Sequence, residues 1–213
     1  MSSREQILRA VRAACGGSVE LPCAGPPPVA AEYRARLASA RVEVFVRRAQ
    51  ELGVQVHRVD GPERLGDVVA QLCQGRLTCV EPALRELEQS LAVRGVPLVG
   101  WDRLAEAEVG VAGADYAVAE SATLVVLARP ERPRSASLLP PVHVAVLPED
   151  RVLADLFELV ERVGDLPTAV VLASGPSRSA DIEMSLAVGV HGPGTVHVVL
   201  VSAGQEAPGR MAK

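Results

Sequence analysis

Thr168-Ala169-Val170-Val171-Leu172-Ala173-Ser174-Gly175-Pro176-Ser177-Arg178-Ser179-Ala180-Asp181-Ile182-Glu183 is the stretch from which the fold is read. Its first six residues are the aliphatic run of a buried strand, and Ile182, Leu186 and Ala187 follow the turn at helical spacing. The spacing predicts a strand-to-helix junction. In an α/β protein such a junction lies at the carboxyl end of the sheet, where the first helical N–H groups lack partners and the helix dipole favours an anion. Ser177, Ser179 and Asp181 offer capping oxygens, Arg178 offers a planar fork of donors suited to carboxylate or phosphate, and Glu183 is placed toward the same cleft. On spacing alone the plainer reading leads: an ordinary helix cap, with Asp181 and Glu183 complementing the dipole.

Two flanking segments add candidate chemistry. Upstream, the apolar stretch Ala117 to Leu127 is parted by Glu120 and Ser121. A carboxylate between buried strand segments must be paired, protonated or open to a solvent-filled cleft, unless a turn or bulge between Ala119 and Thr123 simply exposes it. Downstream, His191 stands beside Gly192-Pro193-Gly194, a turn whose backbone is free to approach a ligand and whose imidazole suits proton transfer. A lone loop histidine is more often structural or solvated. His143 reads as a satisfied core histidine in the strand Val142 to Leu147, and His57 and His197 also fall within strands. No His-x-x-x-His spacing supports a metal site, and none is expected.

Taken in order, Gly113-Ala114-Asp115, Ala119-Glu120-Ser121-Ala122-Thr123, Ser137-Leu138-Leu139-Pro140-Pro141-Val142-His143, Gly175 to Glu183 and Gly189-Val190-His191-Gly192-Pro193 resemble the LUD domain of the lactate utilization protein C family. The resemblance is strong from about Gly110 to Val201 and holds only in outline before that. One departure stands out: the family usually has Ala-Glu-Thr-Gly-Thr where this chain has Ala119 to Thr123, so Ala122 replaces a glycine free to adopt positive φ. The resemblance implies a fold similar to the ribose-phosphate isomerase and CoA-transferase-like proteins, in which a glutamate near a strand end often serves as nucleophile or base. It also implies a role in the oxidation of L-lactate to pyruvate, alongside two partners that resemble iron–sulfur proteins.

On that footing the expected part is an accessory or small-anion-binding subunit. Its cleft would hold Glu120 and His191 as catalytic groups, with Thr123, Ser177, Arg178, Ser179, Asp181 and Glu183 binding lactate, pyruvate or a phosphorylated compound. Two rivals remain: a free-standing isomerase or acyl-transfer enzyme using Glu120, and a docking subunit that binds no ligand.

The bulk sequence agrees with an α/β class. The chain has 213 residues, 48% of them hydrophobic but only 2% aromatic, so its core is built from Val, Leu and Ala, as suits parallel strands buried on both faces. A net charge of -4 provides no basic field for nucleic acid or anionic lipid. The chain lacks the apolar run of a signal peptide and any stretch near the roughly 20 apolar residues of a membrane span, so a cytoplasmic protein is expected. Cys15, Cys23, Cys73 and Cys79 show neither Cys-x-x-Cys pairing nor clustering with His, and no dinucleotide fingerprint follows the first strand; no cofactor is expected.

Along the chain, Ser3 caps a short helix carrying Ile7, Leu8 and Val11, stopped by Gly16-Gly17, and four prolines between Pro22 and Pro28 make a linker up to Ala30. Residues 1–30 thus form an arm, and 31–213 an α/β domain. In the latter, a helix from Glu32 to Leu52 precedes strand Val54 to Val59, helix Pro62 to Gln74, strand Leu77 to Val80, helix Pro82 to Val93 and a short strand around Pro97 to Val99. This alternation asks for a parallel sheet with right-handed crossovers. After Val109 consecutive strands lack an intervening helix. A helix over Asp150 to Val163, the Thr168 strand, the helix after the turn and the strand Thr195 to Val201 are expected to complete one mixed, mostly parallel, three-layer sheet.

Overall fold

The computed structural model describes residues 3–14, 38–129, 132–163, 167, 169–180, 186–188 and 191–202. The chain divides into two compact units, Met1–Ala30 and Ala31–Lys213. In the first, helix α1 (Ser3–Ala14) leaves Ile7, Leu8 and Val11 exposed along one side. The proline-rich linker, with Cys15 and Cys23, lies outside the described residues.

The second unit is an α/β domain around a parallel five-stranded sheet, in the order β1 (Gln55–Val59), β11 (Thr195–Val201), β6 (Val142–Pro148), β3 (Val109–Gly113), β2 (Thr78–Val80). Strict alternation in the valine-rich strands decides its two faces. Val144, Val146, Val199 and Val201 face helices α3 (Pro62–Cys73) and α4 (Arg85–Val93) through Leu65, Val69, Leu87 and Leu91. Ala145, Leu147, Val198 and Leu200 face the other way, onto Phe45 and Ala49 of helix α2 (Arg41–Glu51) and onto a second sheet. Each strand is therefore apolar on both sides, which is why the sequence shows runs and not alternation. Helix α2 stops in a tight C-terminal turn: Gly53 takes φ +87°, its N–H reaches the Gln50 carbonyl at 2.9 Å, and the Val54 N–H reaches Ala49 at 2.9 Å.

The second sheet runs β7 (Val152–Leu153), β4 (Tyr116–Val118), β5 (Thr123–Leu127), β8 (Val170–Ala173), with β4–β5 and β5–β8 antiparallel and β4–β7 parallel. It packs Ala117, Leu124 and Val152 against the parallel sheet, while Val118, Val125, Leu127 and Leu153 face helix α5 (Leu156–Val163) through Leu159.

The expected α/β architecture with a mostly parallel central sheet and an N-terminal helix is present. The second half of the chain, however, builds its own sheet and does not complete the first. Strands joined by tight turns must pair antiparallel, and a parallel sheet cannot take them in without crossovers. Three local expectations change as well. Helix α5 begins at Leu156, because Val152 and Leu153 pair with β4 and Asp155 caps the helix, its Oδ1 accepting the Glu158 N–H at 2.8 Å. The strand expected at Pro97 to Val99 reduces to one bridge, Leu98 with Thr78. The helix expected after the turn is instead a hairpin of β9 (Arg178–Ala180) and β10 (Leu186–Val188), which pairs Ala180 with Leu186.

Candidate functional site

The loop between β4 and β5 is Ala119-Glu120-Ser121-Ala122, and Ala122 sits in it at φ +50°, the left-handed region where the glycine of the resembled motif would be at ease. The loop exposes part of Glu120, whose N–H is held by the Ala154 carbonyl at 3.1 Å. Among the described residues, no hydrogen bond or ion pair holds its carboxylate. Beside it, Thr123 is buried (4% exposed), and its Oγ1 lies 2.6 Å from both Ser121 Oγ and Ser174 Oγ. Three hydroxyls thus form a chain from the hairpin loop to the first residue after β8.

The chain continues into the third motif. Gly175 packs against Leu52, Ser177 donates its N–H to the Pro193 carbonyl at 2.9 Å, and a side chain at Gly192 would touch Ser177 at 3.4 Å. Gly194 and Thr195 in turn donate to the Pro141 carbonyl at 3.0 and 3.3 Å. The loops 119–123, 174–178 and 191–194 are thereby brought into one region. Leu52 precedes β1, Pro193 precedes β11 and Pro141 precedes β6, so the region lies at the amino end of the parallel sheet, not at the carboxyl end expected for the turn. The reason is that Ser174 ends a strand of the second sheet, whose direction owes nothing to the parallel one.

The expected roles divide accordingly. With residues 178–180 in a strand, the turn offers no helix N-terminus, and its anion-binding capacity falls to side chains and loop N–H groups. Arg178 is exposed and spends an Nη2 donor on the Leu52 carbonyl at 2.8 Å, tying the turn to the end of α2. His191 is exposed in its loop. Asp181 and Glu183 lie outside the described residues, as does the side chain of Ser179.

His143 departs from its expected satisfied state. It is 4% exposed, and among the described residues its Nε2 has no hydrogen-bond partner. Burial pushes its pKa down to about 4, so the imidazole is neutral.

A second polar constellation lies at the carboxyl end of the sheet and was not legible as a unit. Glu81, directly after β2, is 1% exposed, and Asp115, beyond β3, is 5% exposed. Glu81 Oε2 accepts the Gly113 N–H at 2.6 Å, and Asp115 Oδ2 accepts the Leu127 N–H at 2.7 Å. Arg132 joins them, with Nη1 2.8 Å from Asp115 Oδ1 and Nε 2.9 Å from Glu81 Oε1. The Nε contact is an ion pair whose angle is too poor for a hydrogen bond, which leaves both atoms without one. Arg129 approaches Asp115 Oδ1 at 3.3 Å. Desolvation raises the Glu81 pKa, against the opposing pull of Arg132 and the Gly113 N–H. Each carboxylate is committed to the chain itself, so this network serves as a clamp joining the two sheets. Glu81, a charge directly after the apolar run Leu77 to Val80, and Asp115, in the motif Gly113-Ala114-Asp115, each hinted at one part of it.

Among the described residues no group of three or more His, Cys, Asp or Glu side chains is placed to hold a metal ion. Cys73 and Cys79 are buried free thiols, and burial pushes the Cys79 pKa up to about 11. No helix among the described residues is long and apolar enough to cross a membrane.

Fold and loops together define an α/β domain that gathers three motif-bearing loops at one end of a parallel sheet. Residues 101–201 match the LUD domain family. The chain is similar to lactate utilization protein C of Exiguobacterium sp., 45% identical over 102 residues that cover 45% of this chain and 44% of that protein. It is also similar to lactate utilization protein C of Geobacillus kaustophilus, 38% identical over 108 residues, covering 47% and 45%. The matches thus span less than half the length of these relatives. A crystal structure of a DUF162 family protein from Deinococcus radiodurans shares the fold, with a TM-score of 0.60 at 23% identity over 76% of this chain and 97% of that one. The resemblance read from the motifs therefore holds over the segment that contains all three converging loops.

Proposed function

We propose that this chain takes part in lactate utilization as a subunit that binds a small carboxylate at the amino end of its parallel sheet. The observation that carries the reading is the meeting of the three loops, through Thr123 with Ser174 and Ser177 with Pro193, inside the segment that matches the LUD domain, in a chain similar to proteins named for lactate utilization. A row of hydroxyls and an exposed imidazole suits a carboxylate of one or two charges, with Glu120 at the rim to take or return a proton. Thr123 fixes the row, and Ser177 and His191 face the ligand. Arg178 holds the turn in place more than it clamps an anion. Iron–sulfur proteins are the proposed partners and the cytoplasm the proposed location. The test is thermal shift of the purified chain against L-lactate, pyruvate, sugar phosphates and CoA esters. Lactate or pyruvate should raise the melting temperature while the others do not, since a ligand bound only to the native state stabilises it by mass action. A response confined to CoA esters would point to acyl-transfer chemistry instead.

A further inference from the structure

Resting on that reading of the site, we propose that its ligand is a 2-hydroxy or 2-oxo acid with an aliphatic chain longer than the methyl of lactate, and that Leu172 selects for the chain. Strand register decides where the hydroxyl row faces. Thr123 alternates with Val125 and Leu127, which pack with Leu159 of α5, so its hydroxyl lies on the outer face of the second sheet. Across the strand pair, Leu172 stands opposite Val125 and Ala173 opposite Leu124, which sets Ser174 opposite Thr123; the 2.6 Å contact between their hydroxyls agrees. Ser174 and Leu172 therefore share the outer face at β8, two residues apart.

Both are exposed, while Thr123 in the middle of the row is buried, so the row opens to solvent at Ser174. Ser121 and Ser174, at its two ends, each keep capacity for a further hydrogen bond, which serves the polar end of the acid. Leu172 is 53% exposed although it borders the fully buried Val125. The apolar surface does not stop there. In α5, Leu159 turns to the sheet and Glu158 turns to Arg41 of α2, which lies beside β7. At about 100° per residue, Leu156 and Val160 fall on the opposite flank, toward β5 and β8, and both are exposed. The start of α5 belongs to the same end of the sheet, since the Ala154 carbonyl, just before the helix, accepts the Glu120 N–H. A leucine alone on a surface means little, but one aligned with a hydroxyl row and followed by further aliphatic side chains marks a ligand groove. Strand spacing sets the length. Two residues on one face of a strand lie about 6.8 Å apart, so an acid held at Ser174 leaves the methyl of lactate short of Leu172, whereas a chain of about three or four carbons beyond the 2-position reaches it.

The experiment is calorimetric titration of the full chain with L-lactate, L-2-hydroxybutyrate, L-2-hydroxyvalerate and L-2-hydroxycaproate, a series that adds one methylene at each step. Affinity should rise about two- to fourfold per methylene, the upper figure being that for complete burial. Leu172→Thr should melt within about two degrees of the wild type, because the position is exposed, bind lactate as the wild type does, and lose most of the gain with chain length. Leu172→Met, apolar and of similar volume, should keep that gain. The proposal is overturned if wild-type affinity is flat or falls along the series, or if Leu172→Thr keeps the full gain. It is equally overturned if caproate, which lacks the 2-hydroxyl, binds as tightly as 2-hydroxycaproate, since the chain would then sit apart from the hydroxyl row. Lactate binding with no chain-length gain leaves the carboxylate site standing and removes Leu172 from it. If no acid of the series binds, both readings fail.

Discussion

At Ala122 the chain tolerates a backbone conformation that its side chain opposes. A left-handed alanine costs roughly 1–2 kcal/mol, whereas Ala→Gly at an ordinary buried strand position loses a methyl group and stiffens the unfolded chain less. Ala122→Gly should therefore leave stability within about 1 kcal/mol of wild type in urea melts, while Ala145→Gly, in a regular strand, should cost about 1–2 kcal/mol. Ala122→Val should cost more than either, since a β-branched residue at positive φ is an outlier. Equal losses for both glycine variants would mean that the loop relaxes away from φ +50°. Two residues earlier, no partner among the described residues holds the Glu120 carboxylate. Glu120→Gln should shift stability by no more than about 0.5 kcal/mol while weakening the melting-temperature rise given by lactate or pyruvate. A variant that melts normally and keeps the full rise would remove Glu120 from the site.

Between elements, the clamp of Glu81, Asp115 and Arg132 is where the parallel sheet hands the chain to the second one. Removing Arg132 would leave two buried carboxylates facing each other, and Arg132→Met should cost about 3–5 kcal/mol by chemical denaturation. Adding Glu81→Gln should recover part of that loss, because burial already raises the Glu81 pKa and a neutral amide fits the same pocket. If the second change deepens the loss, Glu81 is held as a charge by something other than Arg132. This junction was hard to read in the sequence because its members come from positions 81, 113, 115, 127 and 132, with no local spacing to reveal them. The first half was legible, since helices part its strands and each apolar run has one reading. The failure after Ser177 is equally physical. Ile182 and Leu186 are four residues apart, a separation that suits one face of a helix and one face of a strand alike, so the spacing could not tell a helix from the β9–β10 hairpin. The three loops of the candidate site were legible as motifs, but their place at the amino end was not. That depends on which sheet β8 joins, and nothing in Thr168 to Ala173 says so.

Across the whole molecule, the histidines tie stability to pH. His143 on one face of the sheet and His197 on the other both have pKa values pushed down to about 4 by burial; for His197 the neighbouring His57 and Arg76 add to the effect. His57, whose Nε2 lies 3.3 Å from His197 Nδ1, is lowered in the same direction by burial. In the unfolded chain these rings take up protons near their ordinary value of 6.5. Between that value and about 4 the unfolded state binds more protons than the folded one, so stability is fully present above pH 6.5 and is lost as the pH falls toward 4. Each such proton contributes up to about 1.4 kcal/mol per pH unit. Lowering the pH from 7 to 5, above the range where most carboxylates titrate, should therefore cost on the order of a few kcal/mol and shift the urea midpoint down without changing the slope of the transition. The two faces separate in variants. His143→Met should remove roughly half of the pH dependence, and His197→Phe most of the rest, leaving the part that burial of His57 contributes. A profile flat from pH 7 to 5 would mean that these rings titrate in the folded protein as they do in the unfolded chain. For His143 that would require an anion or carbonyl against a nitrogen that has no partner among the described residues.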